Sequence, residues 1–313
     1  MRVFVTGATG YIGSVVVDAL QRASHEVVGL VRHQEKARRL AERGIATAVG
    51  TLGNPSTWRQ QASGCDAFVH AAFEFSPKGV EIERIALDTL VEIARHAGAR
   101  GPASFVYTSG VWVLGPAPEP VDETAPIAPI EFSAWRPAHE RLVLEAATDT
   151  LRTAVIRPGI VYGGSRGIVS DLLSGAENGL MRIVGAGDNH WSLVYDRDLA
   201  DLYVKVLTSD EGRGVFHATD EADEQVRTIA DAIAAHRPHA PDIRFVPLAE
   251  ARTKMGPYAD ALALDQRVRS PKARALGWTP SLRSVAGNIP RLFEELRRGR
   301  RAKQEQEQEQ HNP

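Results

Sequence analysis

MRVFVTGATGYIG, residues 1–13, is the stretch that decides the fold. Arg2 to Thr6 is a short run of β-branched and aromatic residues, the composition of a strand buried at the centre of a parallel sheet. It runs straight into Gly7, Gly10 and Gly13, spaced GxxGxxG, and an amphipathic VVVDALQR at 15–22 follows as a helix. Gly7 permits the tight exit from the strand, Gly10 lets backbone amides approach a pyrophosphate, and Gly13 lets the helix lie close on the sheet. The helix start, with Thr9, Tyr11 and Ile12 around it, offers unpaired N–H donors and a partial positive charge to phosphate oxygens. The stretch predicts a dinucleotide-binding turn.

Beyond it, strand-like runs at 26–31, 45–49, 66–71, 103–108 and 151–157 alternate with helical patterns. That alternation predicts an α/β protein built on a Rossmann-type, doubly wound parallel sheet with a small C-terminal substrate lobe. Residues 1–160 form the dinucleotide-binding domain, whose core also takes segments near 186–218, and 161–299 form most of the interleaved substrate lobe. FHAT at 216–219, the helix VRTIADAIAA, the strand IRFVPL and a further helix are assigned to that lobe. Residues 300–313, ending QEQEQEQHNP, are polar, repetitive and free of aromatics, so a disordered tail is expected.

Composition narrows the partners. At 313 residues the chain can bury a full core, and its formal net charge of -2 gives no reason to expect nucleic acid or an anionic membrane. The single cysteine, Cys65, excludes an internal disulfide framework and reads as an inert packed thiol. With no signal peptide and no apolar run of membrane-spanning length, a cytoplasmic address is expected. No metal site is expected; the expected partner is a small-molecule substrate, with a homodimer left open.

TGATGYIG at 6–13, HAA at 70–72, YTSG at 107–110, RPGIVYG at 157–163 and KARALGWTP at 272–280 give the chain a family likeness. It resembles the extended short-chain dehydrogenase/reductase superfamily, in its epimerase/dehydratase branch, across residues 1–295. The resemblance implies a nicotinamide dinucleotide, with the small Ala71 and Ala72 passing beside it and Pro158 and Ile160 touching the nicotinamide. At the end of the second strand an NAD site places an acid, and an NADP site a cation. Here LVRHQEK puts Arg32 at that place and Lys36 one turn on, so NADP(H) is expected ahead of NAD(H). Thr51 and Asn54 stand where relatives resemble GDLxD, leaving any adenine contacts there neutral.

The superfamily's catalytic set is a Ser or Thr after the fifth strand and a YxxxK on the following helix. An unassisted phenol is a poor base at neutral pH, so its lysine matters. Aligning Glu140 and Leu142 to Leu144 with the tail of that motif, on a helix read over 132–147, puts Phe132 at the tyrosine position and Arg136 at the lysine position; a slipped register gives Trp135 and His139. Neither register supplies a phenol, and the hydroxyl position falls on Gly110 with Ser109 beside it. Arg136 can orient a cofactor but cannot relay a proton. Ser109 can bond a substrate oxygen or cap its own turn, and His139 has a usable pKa. His190, Trp191, Tyr162 and Tyr195 are expected to wall the substrate space, the two tyrosines serving as alternative donors. Asp196 reads as a helix N-cap. The sequence therefore predicts an NADP(H)-dependent oxidoreductase for a small, partly apolar carbonyl or alkene, with Ser109 and Arg136 in the site and a non-standard proton donor. A non-catalytic NADP(H)-binding sensor is the alternative, and a nucleotide-sugar epimerase or dehydratase ranks third.

Overall fold

The computed structural model describes residues 1–311, and Asn312 and Pro313 fall outside it. Five strands, β1 (Arg2–Thr6), β2 (Glu26–Val31), β3 (Ala46–Val49), β4 (Ala67–His70) and β5 (Ala103–Thr108), join Leu151–Pro158 and Gly214–Ala218 in one seven-stranded sheet. All its pairings are parallel, and the order is Gly214–Ala218, Leu151–Pro158, β5, β4, β1, β2, β3. From β1 the chain winds outward to β3 and then returns to β4 on the other side of β1. The C-terminal ends of β1 and β4 thus flank the point where the winding reverses, and open α/β sheets form their ligand crevice there.

Both faces of the sheet are covered, which is why its central strands are largely apolar. On one side Val3, Val5 and Val69 pack with helix α1 (Tyr11–Arg22) and with Leu199, Tyr203 and Val206 of the helix Asp196–Thr208. On the other, Phe4, Phe68 and Phe105 pack under the helix Gly79–Arg100. Cys65 lies in this second core, where burial pushes its thiol up to about 11 and leaves it protonated and unreactive.

The strand Gly214–Ala218, which contains most of the FHAT run assigned to the small lobe, is instead the edge strand of the main sheet beside Leu151–Pro158. The small lobe is built from short pairings: Ile160–Tyr162 with Leu193–Tyr195, Leu180–Val184 with Asp242–Val246, and His190–Trp191 with Glu224–Gln225. Its core gathers Tyr162, Trp191 and Tyr195 with Phe293 and Leu296 of the C-terminal helix Ile289–His311. Asp196 is the first residue of its helix and not the N-cap, which is Tyr195, and no side chain caps this helix. The Asp196 carboxyl is buried with Oδ1 unpartnered, and burial followed by the charge of Glu295 raises it to about 6.

Residues 300–311, expected to be disordered, continue the C-terminal helix. Leu292, Phe293 and Leu296 bury its first turns, and Arg300 ties it to Glu177 at 2.5 Å. Once a helix is nucleated and anchored, Arg, Lys, Gln, Glu and Ala propagate it at little cost, and Pro313 is the first breaker after Gly299.

Candidate active site

The glycine turn has the predicted geometry. Gly7 sits at φ +68°, and a Cβ there would meet the Ala71 carbonyl at 2.7 Å, so β1 and the chain leaving β4 pass in backbone contact. A Cβ on Gly13 would lie 2.0 Å from the Gly7 carbonyl oxygen, which fixes how closely α1 approaches the turn. Gly10 precedes the first helical residue, donates its N–H to Gly7 at 2.7 Å, and accepts from Ser14 at 3.1 Å. No side chain caps α1. The amides of Tyr11, Ile12 and Gly13, in the first turn of α1, have no acceptor among the described residues. These free donors fit an anionic pyrophosphate. Thr9 contributes its carbonyl to Arg166 at 3.2 Å, and the Tyr11 hydroxyl donates to the Gly163 carbonyl at 2.8 Å, tying the turn to the chain entering the small lobe.

Ala71 and Ala72 leave β4 at the same edge. Thr6 Oγ1 accepts from the Ala71 amide at 3.2 Å and shares a 2.8 Å hydrogen bond with His70 Nδ1, while His70 Nε2 lies 3.1 Å from Glu83. This buried chain braces the β1–β4 crevice from behind. At the end of β2, Arg32 is exposed and Lys36 half-buried in the first turn of α2 (Gln34–Glu42). Neither has an ion-pair partner among the described residues, so both cations are available to an incoming anion. Thr51 and Asn54 close their own turn, with the Asn54 amide donating to the Thr51 carbonyl at 3.1 Å.

The α-helix expected from residue 132 starts only at Arg136 and ends at Leu144, and Phe132 sits in a separate turn, Glu131–Ser133. Pro137 is the cause: it lacks an N–H and is tolerated only in the first turn of a helix. Glu140 nevertheless holds the register. Its carboxylate accepts from Arg157 Nε at 3.0 Å and Nη2 at 2.6 Å in a buried, bidentate pair that pins this helix to the strand before Pro158. Arg136, one turn earlier, donates to the Thr108 carbonyl at 3.2 Å and lies over the Trp135 ring at 4.4 Å. The guanidinium is thereby fixed at the C-terminal end of β5.

Ser109 and Gly110 follow directly. The Ser109 hydroxyl is buried and has no hydrogen-bond partner among the described residues. At Gly110 a Cβ would meet only the Pro158 carbonyl, at 3.8 Å, so the missing hydroxyl leaves space and brings Pro158 to the site through its backbone. Ile160 packs into the core of the small lobe. His139 is buried with Nδ1 unpartnered, and desolvation lowers its pKa, so the imidazole is neutral.

Tyr162 and Tyr195 do not wall the substrate space. The Tyr162 hydroxyl donates to the Leu282 carbonyl at 2.9 Å, and that of Tyr195 donates to Glu295 at 2.6 Å. Burial, followed by the Glu295 carboxylate, pushes the Tyr195 phenol up to about 12. Trp191 is buried with its indole N–H on the Leu262 carbonyl, and His190 bonds Asp265 at 2.9 Å. The aromatic surface at residues 132–136 comes from elsewhere. Phe73 stacks on Trp135 with centroids 4.8 Å apart, and Phe75, 86% exposed, meets Phe73 edge-on. The Phe132 ring lies 5.6 Å from Trp112 and 5.2 Å from Tyr258.

The profile of the NAD dependent epimerase/dehydratase family matches residues 3–217. The chain belongs to that family. An uncharacterized protein of Schizosaccharomyces pombe is 32% identical over 90% of this chain and 95% of its own length. A protein of Stigmatella aurantiaca, named 4-hydroxy-2-methyl-3-oxo-4-farnesyl-3,4-dihydroquinoline-1-oxide ketoreductase, is 26% identical over 80% of this chain and 78% of its own. The UDP-glucose 4-epimerase of Thermus thermophilus, solved with NAD, superposes with a TM-score of 0.80 at 22% identity, covering 95% of this chain and 99% of that one. At that identity the likeness is one of fold.

Family membership makes a nicotinamide dinucleotide the group to fit to this crevice, and a bound nicotinamide supplies or accepts a hydride. Gly7, Gly10 and Gly13 with the free amides of 11–13 suit its pyrophosphate, and Arg136, held at the end of β5, is a side chain that would orient it. In this epimerase/dehydratase-family site no phenol stands at 132 and no hydroxyl at 110. Arg136 cannot pass on a proton, so it can only orient and stabilise charge.

Proposed function

We propose that the protein is an NADP(H)-dependent, cytoplasmic oxidoreductase acting on a small, partly apolar carbonyl or alkene. The observation that carries this reading is the cationic end of β2. Arg32 and Lys36 stand without ion-pair partners among the described residues, on the same sheet edge as the glycine turn and Arg136, and the residue at the end of β2 that would accept from a ribose hydroxyl is Arg32, not an acid. Arginine's planar fork suits a phosphate monoester, and a second cation adds to the attraction.

The substrate class follows from the surroundings of residues 132–136. Phe73 stacks on Trp135, and Trp112 and Tyr258 pack on Phe132; rings gathered in this way favour apolar bodies with a polar tip. The Stigmatella aurantiaca relative, named as a ketoreductase, supports carbonyl reduction. Epimerisation ranks lower because a transient ketone needs a competent base at the position that Phe132 fills.

The missing phenol and hydroxyl favour a second reading, an NADP(H)-binding sensor without turnover. Following NADPH oxidation against ketones, aldehydes and enones separates the two. Oxidation that depends on the added substrate is expected, whereas tight NADPH binding with no oxidation by any of them would transfer the assignment to the sensor.

A further inference from the structure

We infer that Tyr258 is the proton donor of this site, supplied from the small lobe in place of the phenol absent at 132. The inference rests on the carbonyl-reductase reading above. The chain has six tyrosines. Four have their hydroxyls engaged: Tyr11 with Gly163, Tyr162 with Leu282, Tyr195 with Glu295, and Tyr203 with Thr108 at 2.6 Å. The hydroxyl of the fifth, Tyr107, is also unpartnered among the described residues, but the residue is fully buried in the core beneath the helix Gly79–Arg100, out of reach of a substrate. Tyr258 is left, half-buried, with no hydrogen-bond partner for its hydroxyl among the described residues.

Its position fits the task. The Tyr258 ring packs at 5.2 Å against the ring of Phe132 and at 6.2 Å from that of Trp112. The lost phenol's own scaffold is therefore covered by another phenol. The ring is held, not dangling. Gly256 turns the chain at φ +59°, Pro257 caps the short helix Tyr258–Ala263, and Ala259 and Ala261 bury that helix in the lobe. Burial, with the charge of Asp171 second, raises the phenol's pKa and keeps it protonated across the neutral range.

In the step assigned to it, the Tyr258 O–H bond breaks as the substrate's carbonyl oxygen takes the proton. The carbonyl π pair moves to that oxygen, and the carbon receives hydride from a reduced nicotinamide dinucleotide, which is left oxidised. Solvent returns a proton to the phenolate.

The test uses the full chain with NADP bound and two probes of one shape, acetophenone and its hydrocarbon counterpart ethylbenzene. By calorimetry, Tyr258→Phe is expected to weaken acetophenone about tenfold, the loss of one hydrogen bond, and to leave ethylbenzene and NADPH affinities unchanged. Turnover of acetophenone with NADPH is expected to fall about 10²-fold or more, and Phe132→Tyr in the same chain to restore part of it, which a purely structural role for Tyr258 would not allow. Unchanged acetophenone affinity and turnover in Tyr258→Phe would overturn the inference. Should the wild-type protein reduce no carbonyl, the oxidoreductase reading fails by itself, and the ketone-against-hydrocarbon comparison still decides whether Tyr258 bonds a carbonyl oxygen.

Discussion

Glu140→Leu is expected to destabilise the protein far more than any surface charge change, and the structure sets the size. Glu140 and Arg157 are both buried and share two hydrogen bonds, at 3.0 and 2.6 Å. His217 also approaches the guanidinium, at 3.5 Å, but burial and the charge of Arg157 push its imidazole down to about 4; neutral or protonated, it carries no negative charge to replace the carboxylate. Removing the carboxylate leaves a buried, unpaired guanidinium, a change that costs about 3–5 kcal/mol. With an unfolding entropy of about 2.1 cal/mol/K per residue over 313 residues, that loss lowers Tm by about 5–8 °C. Differential scanning calorimetry on three variants checks the reasoning. Glu140→Leu should show the full drop, the double variant with Arg157→Met should recover most of it, and Asp88→Ala, which breaks the exposed Arg84–Asp88 pair, should cost about 1 kcal/mol or less. Because the helix bearing Glu140 also bears Arg136, NADPH affinity should fall in the single variant. A Glu140→Leu protein as stable as wild type, or a double variant no better than the single, would refute the argument.

Gly13→Ala should abolish cofactor binding while leaving a folded protein of lower Tm, because its Cβ would lie 2.0 Å from the Gly7 oxygen and α1 must move off the turn to accommodate it. Full NADPH affinity in that variant would show that the helix start is not the phosphate site. Asp220 is buried, accepts from Ala222 at 3.1 Å, and has its carboxyl raised to about 8, chiefly by desolvation. A raised folded pKa means that its contribution to stability is fully present below about 4 and is lost as pH rises toward 8. Chemical denaturation across that range should therefore show a decline that Asp220→Asn flattens; an identical pH profile for the two proteins would rule out this origin.

The sheet was legible because its determinants are local. Each strand is a short apolar run between breakers, and the glycine turn needs only Gly7, Gly10 and Gly13 at fixed spacing to declare its geometry. The place of Arg136 on its helix was also legible, since Glu140 and Leu142 to Leu144 match the tail of the motif. The helix start was misjudged where Pro137 overrode the pattern. The aromatic surface could not be read in advance. Phe73, Trp112 and Tyr258 come from a loop, a short turn and the second lobe, and only tertiary folding brings them to Phe132 and Trp135. Tyr162 and Tyr195 misled for the same reason, because polar tips that suit a pocket suit an interior equally well once Leu282 and Glu295 are there to receive them. In the tail, the composition that argued for disorder is also that of a strong helix former, and the anchor at Glu177 decides between them.

The account turns on which nicotinamide dinucleotide the end of β2 accepts. Titration calorimetry of NADPH and NADH against the wild-type protein and Arg32→Ala measures this directly. The expected result is NADPH tighter than NADH by about tenfold or more in the wild type, from a charge-assisted bond worth about 1.5–3 kcal/mol, with most of that preference gone in Arg32→Ala. Equal affinities in the wild type, or tighter binding of NADH, would contradict it.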